Sequence, residues 1–119
     1  PKERKVFIVG FKFDKDIKAM MNKIFKIADA VIFTQFHAKT DMGKNASFEI
    51  SNLKSQISSL RQGFGRQAKL KKVIIERDSK KALKIGLKTI QQYNNSAILV
   101  VTGSLYLVGE VRNFLVEYR

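Results

Sequence analysis

Apolar, β-branched runs alternating with stretches of helical spacing limit this chain to one broad class of fold. Lys5–Gly10, Ala30–Thr34, Lys72–Ile75 and Ala97–Thr102 read as strands. Their near-continuous apolarity marks strands covered on both faces rather than a sheet with one wet side. Between the first two, Asp14 is a candidate N-cap for a helix carrying Ile17, Met20, Met21, Ile24, Phe25 and Ile27, a wide apolar stripe that needs a core beneath it. Ile50, Leu53, Ile57 and Leu60 share one face of a helix around Glu49–Leu60. Ser79 is expected to cap a third helix, with Ala82, Leu83, Leu87 and Ile90 inward, ending near Asn94-Asn95. A last helix begins just after Ser104 and runs to about Val116. Strand–helix alternation joins parallel strands by crossovers. The expectation is one α/β domain over residues 1–119, Rossmann-like, with a mostly parallel sheet flanked by helices.

The richest segment is the last crossing from strand to helix, Ile98-Leu99-Val100-Val101-Thr102-Gly103-Ser104-Leu105-Tyr106-Leu107-Val108-Gly109-Glu110-Val111-Arg112. The glycine permits a tight turn, and Ser104 is a good N-cap. A corner of this kind aims free N–H groups and the positive end of a helix dipole at one point, which suits a carboxylate or phosphate. The same residues serve equally as a plain structural corner in which Ser104 only caps. Tyr106, in the first helical turn, is expected to face the core.

The wording of that corner, T-G-S-L-Y-L-V-G-E-V-R, resembles the C-terminal signature of folylpolyglutamate synthase and dihydrofolate synthase, members of the Mur ligase superfamily. Near the start, Gly10-Phe11-Lys12-Phe13-Asp14-Lys15-Asp16 resembles the family's G-x-x-x-D-K-D, which also follows a strand and opens a helix. The two lie in the family's order, so the likeness spans nearly the whole chain, with the Mur ligase C-terminal domain as the implied fold. Family members carry a D-G-A-H-N-P segment on a strand and helix ahead of the first motif, and a phosphate loop in an N-terminal ATPase domain. Neither is found in this sequence, which holds no G-x-x-x-x-G-K-[ST]. By the resemblance the chain is the C-terminal domain without its first strand–helix unit. On its own it is expected to be inactive, with ATP and magnesium bound mainly by the N-terminal ATPase domain of the parent chain.

The chemistry so implied is ATP-dependent amide formation: a folate or dihydropteroate carboxylate becomes an acyl phosphate, and the amine of L-glutamate displaces phosphate. By the same resemblance, Ser104 occupies the position that contacts the carboxylate of the amino-acid substrate, with Gly103 shaping the backbone and Thr102 a lesser candidate. Lys44 sits where family members carry an arginine. Gly43-Lys44-Asn45-Ala46 replaces their proline-arginine-alanine, so a point charge stands where a bidentate fork is usual. No catalytic residue is assigned to the chain.

Composition sets the rivals. Twenty-three Lys and Arg against ten Asp and Glu give a net charge of +13, which by itself points toward nucleic acid. The aromatics, however, fall mostly among apolar strand and helix residues rather than between the basic ones, and Phe64 in Gln62-Gly63-Phe64-Gly65-Arg66 is the one residue placed for base stacking. A lysine-rich solvated surface is the simpler reading, and nucleic acid is not the expected partner. A basic nucleic-acid-binding module and a non-catalytic anion-binding Rossmann-like domain remain as alternatives. No apolar run approaches the roughly 20 residues that span a bilayer, so no membrane partner is expected. Cysteine is absent, in keeping with a reducing, cytoplasmic location. His37, the single histidine, lacks partners at metal-ligand spacing and reads as an ordinary loop residue, and no metal site is expected. Asp14 and Asp16 read as capping and dipole-stabilising residues rather than a metal pair.

Overall fold

In the computed structural model, residues 3–12, 17–37, 54–55, 57–59, 72–94 and 96–117 are described. Strand β1 (Arg4–Val9) leads to helix α1 (Ile17–Ile27), which returns to β2 (Ala30–Phe33). Residues 54–55 and 57–59 are helical. Then follow β3 (Lys72–Ile75), α2 (Ser79–Gln92), β4 (Ala97–Thr102) and α3 (Leu105–Glu117). The strands form one sheet in the order β3-β2-β1-β4. All pairings are parallel, with Val6 opposite Ala30 and Leu99, and Ala30 opposite Lys72. This is an α/β, Rossmann-like arrangement. No helix among the described residues is long and apolar enough to cross a membrane.

The period-two alternation of a strand sends successive side chains to opposite faces, and here both faces are apolar. Phe7, Val9, Val31 and Phe33 join Ile17, Met21, Ile24 and Phe25 of α1, together with Ile57. Val6, Ile8, Ala30 and Ile32 join Ala82 and Leu83 of α2 and Leu107 and Val111 of α3. Each fully buried large side chain contributes about 1.5–3 kcal/mol, so β1 and β2, buried along their apolar length, anchor the domain. At the N-terminal edge of the sheet, buried Asp29 accepts the Lys5 N–H at 2.8 Å and lies 3.9 Å from the Arg4 guanidinium. That contact ties the start of β1 to the turn before β2.

Two expectations are corrected. β4 touches the core on both faces, through Val100 on one and Leu99 and Val101 on the other, but it is only half-buried: among the described residues it pairs with β1 alone, at the edge of the sheet, and Ile98 is 41% exposed. An edge strand has one neighbour, so the same apolar run buries less than it would in the centre. The cap of α2 is Asp78 rather than Ser79, because the Asp78 Oδ1 accepts the Lys80 N–H at 3.0 Å. The expected cap at Asp14, with Asp16 beside it, lies outside the described residues.

Candidate functional site

The strand order makes the chain leave β1 in two directions, toward β2 and, later, to β4 on the other side. In open α/β sheets such a switch point opens a crevice at the carboxyl ends of the diverging strands, where ligands bind. Both sequence motifs begin there, at Gly10 and Thr102. Gly10, directly after β1, donates its N–H to the Thr102 carbonyl at 3.2 Å. Gly103 follows with φ +104°, and a Cβ added to it would lie 2.6 Å from the Gly10 carbonyl oxygen. A Cβ on Gly10 would in turn meet Leu107 at 3.0 Å and the Thr34 carbonyl oxygen at 3.2 Å. The two glycines therefore let the corners after β1 and β4 pack backbone against backbone.

Ser104 comes next and caps α3. Its Oγ accepts the Tyr106 N–H at 3.1 Å, and its carbonyl accepts the Val108 N–H at 3.1 Å. Accepting occupies one lone pair of the hydroxyl and leaves its O–H able to donate. Thr102 is the half-buried last residue of β4, in register with Val9. Thr102, Gly103 and Ser104 are thus together at the switch point, whereas Lys44 lies outside the described residues, as do Asp41, Gly43 and Phe64. Tyr106 does not enter the core. It is half exposed and stacks on buried Phe36, just after β2, with ring centroids 5.8 Å apart.

Beside this corner is a cluster that the sequence did not reveal. Glu110, two turns into α3, accepts the His37 N–H at 3.2 Å and the Ser79 hydroxyl at 2.6 Å, one with each carboxylate oxygen. Its Oε1 also lies 2.7 Å from the His37 Nδ1. His37 is therefore not an ordinary loop residue. Glu110 joins three elements, since Ser79 opens α2, His37 follows β2, and Glu110 belongs to α3. The loops after β2 and β3 are themselves laced together: the Glu76 N–H donates to the Phe33 carbonyl, and the Thr34 hydroxyl and the Gln35 N–H both donate to the Arg77 carbonyl. The partners are 73 and 31 residues from Glu110, so no local spacing marks them. The available signal was an isolated carboxylate inside an apolar helix of a strongly basic chain.

His37, Leu105, Tyr106, Glu110 and Arg112 line one shallow groove along the outer side of α3. Among the described residues no three His, Cys, Asp or Glu side chains gather as a metal site would require. They also offer no nucleotide cradle beyond the single corner at Ser104.

Comparison with known proteins carries this geometry to a family. No curated protein and no solved structure matches the chain. The family model described as dihydrofolate synthetase, C-terminal domain, matches residues 1–114, which includes both glycine corners, the first six elements named above and α3 as far as Phe114. The chain belongs to the dihydrofolate synthetase C-terminal domain family, the domain of folylpolyglutamate-type ligases.

Proposed function

We propose that this domain holds the incoming amino acid in a ligase that joins L-glutamate to the carboxylate of a folate or dihydropteroate through an acyl phosphate. The observation that carries the reading is the abutment of Gly10 and Gly103, which sets Ser104 and the N-terminus of α3 at the switch point. Unpaired helix N–H groups and a hydroxyl able to donate suit the carboxylate of the amino acid. Ser104 is the contacting residue, Gly103 and Thr102 shape its surroundings, and Lys44 supplies a further positive charge. ATP and magnesium are bound mainly by an N-terminal ATPase domain of the same parent chain. This domain binds and orients the glutamate, and when closed on its partner domain it keeps water from the acyl phosphate. The protein works in the cytoplasm.

Ser104→Ala in the full-length ligase tests the reading. Loss of one hydrogen bond to a charged group costs about 1.5–3 kcal/mol. The glutamate KM should therefore rise about 10- to 100-fold, with the ATP KM nearly unchanged. If Ser104 only caps α3, the variant loses about 1 kcal/mol of stability and keeps its glutamate KM, which would end the substrate-contact role.

The nucleic-acid reading gains nothing. Phe7, Phe11, Phe25, Phe33 and Phe36 are all buried and not available for stacking, and Phe64, the residue placed for it, lies outside the described residues.

A further inference from the structure

We propose that His37 and Glu110 form an oriented acid–base pair whose free imidazole nitrogen takes the proton from the ammonium group of the incoming amino acid; this rests on the ligase reading above. An ionised carboxylate only accepts hydrogen bonds. With Glu110 Oε1 at 2.7 Å, the proton of a neutral His37 ring must therefore be on Nδ1, and the lone pair on Nε2. Glu110 is itself held, because Oε2 accepts from the fully buried Ser79 hydroxyl and Oε1 from the His37 backbone. A carboxylate that fixes the tautomer and orientation of a histidine is how an imidazole is prepared as a base.

The placement fits the task. The Glu110 side chain is 18% exposed and that of His37 71%, so the carboxylate is largely sheltered while the imidazole stands open to the groove. That groove begins at Leu105 and Tyr106, the first turn of the helix that Ser104 caps. The charged groups lining it are Glu110 and Arg112, both on α3. An amino acid at neutral pH carries an ammonium with no lone pair, and amide formation requires one. His37 Nε2 accepts one proton, the freed amine attacks the acyl carbon, and the bond from that carbon to the phosphate oxygen breaks. The second nitrogen-bound proton leaves with the phosphate as hydrogen phosphate, and the proton on His37 passes to solvent. Ser79, one bond further back, is a positioning residue.

Because His37 is the only histidine, long-range proton–nitrogen NMR of this chain reads its ring without ambiguity. The expected state is the neutral Nδ1–H tautomer, reverting to the Nε2–H form usual in water when Glu110→Ala removes the acceptor. An Nε2–H ring in the unmodified chain, or a ring protonated on both nitrogens at assay pH, overturns the proposal. In the full-length ligase, His37→Asn should lower kcat about 10- to 100-fold, within the usual range for a general base, and leave the glutamate KM unchanged. Its remaining rate should climb tenfold per pH unit as the amine deprotonates by itself, where the unmodified enzyme levels off. A kcat and pH profile unaltered by His37→Asn also overturns the proposal. A parent chain that ligates no amino acid refutes the ligase reading, and the catalytic role with it, while the NMR result on the His37–Glu110 contact stands on its own.

Discussion

Gly103 carries a backbone angle open mainly to glycine, in the same place where a methyl group would press on the Gly10 carbonyl. Gly103→Ala meets both penalties. A strained φ costs on the order of 1–3 kcal/mol, and the obstacle is backbone, which cannot swing aside as a side-chain end can. We expect a loss of at least about 2 kcal/mol in denaturant unfolding, with the midpoint lowered and the slope unchanged. A midpoint that does not move would show that the corner relaxes at little cost and that the two glycines are not in close contact. At this scale the sequence was legible where chemistry is local. Thr102-Gly103-Ser104 announced a tight turn and a cap, and both are present. Ser79 was misread because two neighbouring residues can each cap a helix. Asp78 takes the role, which releases the Ser79 hydroxyl for Glu110. His37 was misread because its partner is 73 residues away and no spacing rule reaches so far.

The helices differ in how much of their surface is used. α2 approaches the sheet closely at Gly86, where an added Cβ would lie 3.0 Å from Leu99 and 3.1 Å from Ile8. α3 buries Leu107 and Val111 but leaves Leu105, Tyr106, Leu115 and Val116 exposed, and a Cβ on Gly109 would meet nothing within 4 Å. Alanine in a helix interior is favoured over glycine by about 0.8–1.0 kcal/mol. Gly109→Ala should therefore stabilise the domain by most of that amount and raise Tm by about 2–5 °C. Gly86→Ala gains the same propensity but must displace two side-chain ends in a filled core, and overpacking costs typically 1–3 kcal/mol, so its Tm should stay level or fall. Calorimetry on the two variants decides the matter, and a stabilising Gly86→Ala with a destabilising Gly109→Ala would reverse our assignment of the covered and open faces. Strands were the most legible elements. The bounds of β3 and β4 coincide with their apolar runs, β2 ends one residue early, and β1 is shifted by one residue at both ends. Which strand lies at an edge was not legible, since the same run of Ile, Leu and Val suits either place and only the pairing order assigns it.

For the molecule as a whole, two forces of opposite sign act at its surface. The net charge of +13 repels like copies, and α2 adds to it with Lys81, Lys84 and Lys88 exposed and no acidic residue along its length. Against this stand the exposed apolar side chains of α3 and the outer edge of β4, which has no strand partner among the described residues, with Ile98 beside it; exposed strand edges and apolar patches favour association. Salt weakens only the repulsion, because the screening length falls from about 30 Å at 0.01 M to about 3 Å at 1 M. Self-association of the chain should therefore grow with ionic strength, the reverse of what salt does to binding of a polyanion. Light scattering across that range should show an average mass that rises with salt, and Leu105→Lys together with Val116→Lys should flatten the rise by adding charge where apolar contact is lost. A mass that stays monomeric at every salt concentration would mean that the open face of α3 and the edge of β4 are too small or too divided to bind a second copy. A mass that falls with salt would place the attraction in charge pairing instead, and the lysines of α2 would then be the residues to exchange.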